Sequence, residues 1–373
     1  MQKEVRFIHT ADIHLGRKFK YLSSKAKSAT DHLNDILFKI ADIAIDKKVD
    51  IIFISGDLFD NNNPNLNILN KFIDFAEELN EKNIKIVILP GTHDFLSENS
   101  IYRRDGIFKI LPNIYVFKDQ NEFFFEDLSL AVYGLAPTSN KMPQSPITPF
   151  SEDKRALYHV IMAHGSLQIE GKSSKDDTPI EFSDIENSFA DYIALGHWHQ
   201  NLDFSKGKVS CFYSGSPELI DLDQINSGFV IYGNLKDKKF ENIKVGEREF
   251  DDIIIDVSKI ESLEELLLRI KQGSNENLIR KIKLTGEKHE KLYGIDIVEI
   301  QDILKDYFYF LLIEDDMKSL LIFDDSKSPN LVDKVFKNNL LLLIEKTDDE
   351  DKKNLYTSVL EEGLALLSGN KTL

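Results

Sequence analysis

Five short segments carry side chains able to bind metal ions: Asp12-Ile13-His14, Gly56-Asp57-Leu58-Phe59-Asp60, Gly91-Thr92-His93-Asp94, Ala163-His164-Gly165 and Gly196-His197-Trp198-His199. Any one of them alone reads as a turn with a satisfied polar residue. Five in this order, each directly after an apolar run, point to a metal site. Carboxylates and imidazoles without a cysteine suit divalent manganese, iron or zinc better than soft copper(I) or the oxygen cage of calcium. Six such ligands are too many for one catalytic ion that keeps an open position. A pair of ions ~3.5–4 Å apart, bridged by a shared carboxylate, uses them all. Such a pair clamps a phosphate, activates a water and offsets charge on the attacked and leaving oxygens, so the predicted chemistry is phosphoester hydrolysis.

The runs that precede these segments must position them. Val5 to Ile8, Ile51 to Ile54, Ile84 to Leu89, Val160 to Met162 and Tyr192 to Leu195 are β-branched or apolar throughout and read as buried strands of a central sheet. The ligands then sit on loops at one sheet edge. Between the strands, Asp31 to Lys48 places Leu33, Ile36, Leu37, Ile40, Ile43 and Ala44 at the spacing of a helix with one buried face, and Leu66 to Leu79 repeats the pattern. Tyr115 to Phe117, Phe123 to Phe125 and Leu130 to Tyr133 predict a second sheet. The Pro-rich stretch 135–155 and the polar stretch 168–181 read as long loops, either lining a substrate groove or variable surface.

The order DxH, GDLFD, GxHD, AHG and GHWH resembles that of the calcineurin-like metallophosphoesterases. The stretches HTADIHLG, SGDLFD and FYSGSPE resemble the SbcD/Mre branch of DNA-end nucleases and the related YhaO-type proteins. The resemblance is strong over residues 1 to about 235 and weaker beyond. It implies an α/β (α+β) fold: a four-layer sandwich of two mixed β-sheets flanked by helices, with a small α/β cap domain and C-terminal helices. It also implies two divalent ions, manganese foremost. One would be held by Asp12, His14 and His199, with Asp57 bridging to a second held by His164 and His197. His93 matches the family histidine that faces the substrate phosphate as general acid or transition-state stabiliser. Asp94 is expected to orient His93. One position departs from the family pattern: Thr92 stands where an asparagine carboxamide normally reaches the second ion. A hydroxyl is shorter and a poorer neutral ligand, so a weaker second site is expected.

A net charge of −17 is awkward for a protein that meets nucleic acid, because Lys and Arg supply most non-specific affinity for phosphates. The local field decides binding, however. Between Ile13 and Thr30 stand Arg17, Lys18, Lys20, Lys25 and Lys27 with no acidic residue. This stretch leaves the first ligand loop directly and is the candidate DNA track, against a solvated helix start. Arg103 and Arg104 form a smaller candidate patch, against ordinary surface ion pairs.

A chain of 373 residues exceeds one ordinary domain. Its character changes near Glu247 to Asp252, which sets the expected domains at 1–248 for the phosphoesterase core, 249–326 for a small α/β cap that seats DNA, and 327–373 for a helical pair. The aromatic run Tyr307 to Phe310 reads as a buried strand in preference to a base-stacking platform. Leu331 to Ile344 and Lys353 to Leu367 are amphipathic, and a helix pair of this size cannot bury both faces by itself. In the resembled family such helices dock on an SMC-like or ABC-type coiled-coil ATPase; the competing reading packs them on the cap. The resemblance also implies a homodimer.

The single cysteine, Cys211, permits no internal disulfide, the N-terminus shows no apolar stretch of signal-peptide length, and no segment is long enough to span a bilayer. The cytoplasm is the expected compartment. The function expected is a manganese-dependent DNA exonuclease or endonuclease acting at DNA ends in repair or defence. Two alternatives stay open: a DNA-end or ATPase-binding scaffold with catalysis blunted at Thr92, and a small-molecule phosphodiesterase using the same ions.

Overall fold

The computed structural model describes residues 3–104, 106–169, 178–222, 224–289, 292–319 and 331–367. The centre of the polar stretch 168–181 and the expected boundary at 326/327 lie outside these residues. The chain divides into two compact units, Met1–Glu247 and Arg248–Leu373.

In the first unit the elements follow as β1 (Arg6–Thr10), α1 (Ala26–Asp46), β2 (Ile51–Ser55), α2 (Leu66–Glu81), β3 (Lys85–Leu89), β4 (Ile114–Val116), β5 (Glu122–Phe125), β6 (Leu130–Gly134) and β7 (Tyr158–His164). After them come β8 (Ser166–Leu167), β9 (Pro179–Ile180), α3 (Phe182–Glu186), β10 (Tyr192–Gly196), β11 (Leu202–Asp203), β12 (Ser210–Tyr213), β13 (Phe229–Asn234) and β14 (Lys239–Lys244). They build two six-stranded mixed sheets flanked by helices, ordered β14-β13-β1-β2-β3-β4 and β11-β12-β10-β7-β6-β5. Strands β1 to β4 are mutually parallel, as are β6, β7, β10 and β12. The resemblance therefore implied the right architecture.

Side-chain alternation explains why β7 and β10 tolerate burial on both faces. Val160, Met162, Tyr192 and Ala194 join the main core with Phe7, Phe53 and the helix residues Ile36, Leu37, Ile40 and Phe72. Their neighbours Ile161, Ala163, Ile193 and Leu195 join a second cluster with Cys211 and Tyr213. His9 ties the sheets together: Nδ1 lies 3.0 Å from the Tyr192 hydroxyl and Nε2 3.2 Å from the Leu195 carbonyl. Burial holds its imidazole down to about 3, so it is neutral. Helix α1 starts at Ala26, five residues before Asp31, because its first turn carries no apolar stripe from which a period could be read. Helix α2 starts where the periodicity predicts, capped by the Asn65 side chain accepting from Ile68 N at 3.1 Å.

The second unit runs β15 (Glu249–Asp256), α4 (Leu263–Lys271), β16 (Leu278–Lys288), α5 (Ile297–Leu304), β17 (Phe310–Ser319), α6 (Leu331–Lys346) and α7 (Glu350–Leu367). Its three strands form one parallel sheet in the order β15-β16-β17. Leu266 and Ile270 of α4 and Ile300 and Leu304 of α5 pack with Ile282 and Leu284 of β16. The expected buried strand over Tyr307 to Phe310 starts only at Phe310: Tyr307 lies in a helical turn and is exposed, and Phe308 and Tyr309 are buried just ahead of β17. On α6 and α7, Leu340 and Leu360 are buried, whereas Leu331, Val332, Val335, Leu355 and Leu366 are more than half exposed.

Candidate metal centre

The five ligand segments meet because their strands end on the same side. β1, β2 and β3 deliver Asp12, His14, Asp57, Thr92 and His93 from one sheet; β7 and β10 deliver His164, His197 and His199 from the other. Backbone bonds lock the first two loops edge to edge: Asp12 N to Gly56 O at 3.1 Å, His14 N to Asp57 O at 2.9 Å and Leu15 N to Leu58 O at 2.9 Å. Four of the ligand candidates sit at positive φ, namely Asp12 (53°), His14 (51°), Asp57 (51°) and His197 (105°). Non-glycine residues there cost about 1–3 kcal/mol each and persist only where the surroundings impose them. Two glycines permit the close approach. A Cβ on Gly91 would stand 2.2 Å from Asp57 Oδ1, and one on Gly196 would stand 1.9 Å from the Ser55 carbonyl oxygen.

Asp57 is the hub. Its Oδ2 lies 3.2 Å from His164 Nε2 and 3.7 Å from His14 Nε2, and its Oδ1 accepts from His93 N at 2.8 Å. The Asp12 carboxylate accepts from His197 N at 3.1 and 3.0 Å and lies 4.0 Å from His199 Nε2. Ligand atoms of Asp12, His14 and His199 gather within 4.8 Å of one another, as do those of Asp12, Asp57 and His164. The rings of His164 and His197 are 5.3 Å apart.

The electrostatics fit divalent cations. Asp12 and Asp57 are almost wholly buried. Burial lifts the Asp12 carboxyl to about 6. Burial by itself would depress the His164 imidazole, but the facing Asp57 carboxylate outweighs it and lifts the ring to about 9. The same pairing holds Asp57 well below the ordinary carboxylate range against its own burial. Nδ1 of His164 donates to the Ser55 carbonyl at 3.0 Å, which leaves Nε2, facing Asp57, as the nitrogen that either carries a proton or meets a cation. The Nε2 atoms of His164 and His14 are buried without a hydrogen-bond partner, and His14 Nδ1 has only the Asp60 carboxylate oxygen at 3.5 Å. Orphaned imidazole nitrogens facing carboxylates are what cations would satisfy.

Several sequence-derived roles shift. Thr92 Oγ1 lies 3.3 Å from Asp57 Oδ2, so its hydroxyl donates to the Asp57 carboxylate. His93 is exposed beside the centre, with its ring 4.6 Å from that of His14 and Nδ1 3.2 Å from the Asp60 carbonyl. Asp94 does not orient His93. Its buried carboxylate accepts from Gly91 N at 2.7 Å, Phe59 N at 3.0 Å and the Tyr102 hydroxyl at 2.5 Å, clamping the two loops together. Arg17 is no free cation: Nη2 donates to Asp221 at 2.6 Å, with Asp60 3.4 Å from Nη1. Lys18 and Lys20 are exposed. Arg103 lies 3.5 Å from Asp119, and Arg104 donates to the Asn62 carbonyl at 2.9 Å and to Asn63. Trp198 packs away from the centre, its ring stacked 5.0 Å from that of Tyr213.

Two neighbours of the ligands escaped the sequence reading. Asp60 lies 3.5 Å from His14 Nδ1, and the second aspartate of GDLFD was its signal. Gln224 contacts His199 Nδ1 from a distant loop, and no motif marks it.

The family model described as calcineurin-like phosphoesterase matches residues 5–201, a span that contains every ligand candidate. The chain belongs to the calcineurin-like phosphoesterase family. This phosphoesterase is 26% identical over 231 residues to the uncharacterized metallophosphoesterase YhaO of Bacillus subtilis, covering 58% of this chain and 54% of YhaO. It is 27% identical over 241 residues to the DNA double-strand break repair protein Mre11 of Saccharolobus solfataricus, covering 61% of this chain and 58% of that one. With Mre11 of Methanococcus maripaludis it shares 25% identity over 307 residues, 79% of this chain and 78% of the relative. The chain spans little more than half the length of the first two relatives. The family match and the candidate ligand clusters thus fall in the same stretch of the chain. Among the described residues, no helix is long and apolar enough to cross a membrane.

Proposed function

We propose that this phosphoesterase is a manganese-dependent DNA nuclease of the SbcD/Mre type, cutting phosphodiester bonds at or near DNA ends in repair or defence. The observation that carries the metal part is the convergence of Asp12, Asp57 and four ligand imidazoles at the rim shared by two sheets. DNA as substrate rests on the Mre11 relatives, aligned over up to 79% of the chain, and on the exposed Lys18 and Lys20 beside the first ligand loop. Asp12, His14 and His199 would hold one ion, His164 and His197 the other, and Asp57 both. When bound, the ions supply Lewis acidity toward the phosphate and a nucleophilic water at neutral pH.

The protein's own groups supply the rest. His93 is exposed and its Nδ1 donates to the Asp60 carbonyl, which leaves Nε2 as the ring nitrogen for the substrate. In the imidazolium form Nε2 carries the proton that a leaving alkoxide needs. Asp94 keeps the His93 loop seated through Gly91 and Phe59. The exposed apolar residues of α6 and α7 suit a docking helix, and the partner proposed is the coiled coil of an SMC-like ATPase, with the cap at 249–326 seating DNA. A homodimer is proposed on the same resemblance, and the cytoplasm as its compartment on the single cysteine.

Purified protein with manganese and end-labelled duplex DNA tests the reading, with Asp57→Ala excluding a contaminating nuclease. Cleavage by the wild type alone supports it. Hydrolysis of a chromogenic phosphodiester while DNA stays intact overturns the choice of substrate. The scaffold reading draws on Thr92, whose hydroxyl is spent on Asp57, and predicts DNA binding without turnover.

A further inference from the structure

The residue immediately beyond the first ligand loop that looks most like a phosphate contact, Arg17, is engaged on three sides. Its Nη2 donates to Asp221 Oδ2 at 2.6 Å, its Nε to the Ile220 carbonyl at 3.2 Å, and its Nη1 faces Asp60 Oδ1 at 3.4 Å. Asp60 Oδ1 also stands 3.5 Å from His14 Nδ1. On the far side, the backbone N–H groups of Ile220 and Asp221 donate to Gln224 Oε1 at 3.1 and 3.3 Å. The same side-chain amide contacts His199 Nδ1, the ring nitrogen remote from Asp12.

These contacts form one continuous strut: His14, Asp60, Arg17, the 220–221 backbone, Gln224, His199. Its two ends are the imidazoles that share a ligand cluster with Asp12, their rings 5.2 Å apart. An imidazole held only by its own side-chain bonds can swing about two torsions, and contact at the remote nitrogen fixes the ring plane. His164, in the other cluster, is fixed instead by the Ser55 backbone carbonyl. The strut therefore acts on one metal position and not on the other.

We propose that Arg17 and Gln224 are positioning residues that set the spacing of His14 and His199 and so the affinity of one of the two metal positions, and that Arg17 is not a DNA phosphate contact. The proposal rests on the metal-centre reading. Two carboxylates already offset the charge of the guanidinium, and a phosphate approaching it would meet Asp60 and Asp221.

The test uses the full chain with manganese(II), followed by calorimetry and by electron paramagnetic resonance, which distinguishes a spin-coupled pair from a lone ion. Wild type is expected to bind two ions. Arg17→Gln and Gln224→Leu are each expected to weaken one ion by about 10–100-fold, the usual effect of losing an outer partner of a ligand, and to leave the other in place. The spectrum then changes from coupled to mononuclear. The double variant falls short of the product of the two losses, because both cut one strut. Gln224→Glu, which can still hold Nδ1, restores the lost affinity. Arg17→Gln leaves the salt dependence of DNA binding at the wild-type slope.

Unchanged metal affinities in both single variants overturn the proposal, as does a drop of about one in the salt slope for Arg17→Gln, the signature of a lost phosphate contact. If Arg17→Gln does not fold, Asp221→Asn cuts the same strut at a side chain that is 39% exposed and must weaken the same ion. A wild type that takes up no manganese removes the metal-centre reading itself, a result distinct from two ions that the variants fail to disturb.

Discussion

His164 Nε2 stands 3.2 Å from Asp57 Oδ2, joining the end of β7 in one sheet to the loop after β2 in the other. With Nδ1 committed to the Ser55 carbonyl, the pair is complete only when positive charge lies on or beside Nε2. Asp57→Asn removes the charge of the carboxylate proposed to hold both ions. Hydrolysis is expected to fall by roughly a thousandfold or more, since such ions contribute several kcal/mol of charge stabilisation, and bound manganese measured by elemental analysis falls with it. Full activity in Asp57→Asn would remove the assignment.

His93 and Asp94 should separate cleanly. His93→Ala is expected to lower turnover by about 10²–10⁴-fold while metal content and melting temperature hold, as for loss of a general acid. Asp94→Ala leaves Gly91 N, Phe59 N and the Tyr102 hydroxyl without their acceptor, at about 1–3 kcal/mol for each buried group. Thermal denaturation of both variants checks the contrast, and a destabilised His93→Ala would contradict it.

Thr92→Asn replaces a hydroxyl that donates to Asp57 with a carboxamide oxygen able to reach a cation. Tighter binding of the second ion and a shifted metal preference are expected in manganese and zinc titrations of activity. Identical metal dependence in the two proteins would rule out Thr92 as the cause of a weak site.

His9 gives stability a pH dependence of known sign. Its folded value, about 3, lies below the unfolded reference of about 6.5, so the unfolded chain binds the extra proton. Stability from this group is complete above about 6.5 and declines toward 3, by up to ~1.4 kcal/mol for each pH unit. Urea denaturation across that range should show a slope smaller by one proton in His9→Gln. Equal slopes would show that His9 does not titrate this way.

Cys211 is wholly buried in the second core cluster, and burial raises its thiol. A thiol reagent should label it only as fast as the protein unfolds. Rapid labelling in native buffer would disprove this packing.

Much of the fold was legible because strands buried on both faces must be apolar throughout. Ile51 to Ile54 and Tyr192 to Leu195 announce themselves, and a histidine or aspartate directly after such a run has few places to go. The ligand set was readable for the same reason, since each motif lies within a few residues of a strand end. The contacts of Asp94 and Arg17 were not legible, because adjacency in sequence does not encode the partners that the folded loops provide. Asp94 faces Tyr102 and the backbone of Phe59, and Arg17 faces Asp221, 204 residues away.

By itself the sequence determined which residue types reach the rim, because local periodicity fixes where strands stop. Only the tertiary structure decided which of them touch. Asp57 meets His164, and Gln224 meets His199, through the packing of separate sheets and loops, and hydrogen bonds across such gaps depend on distances that no spacing along the chain encodes.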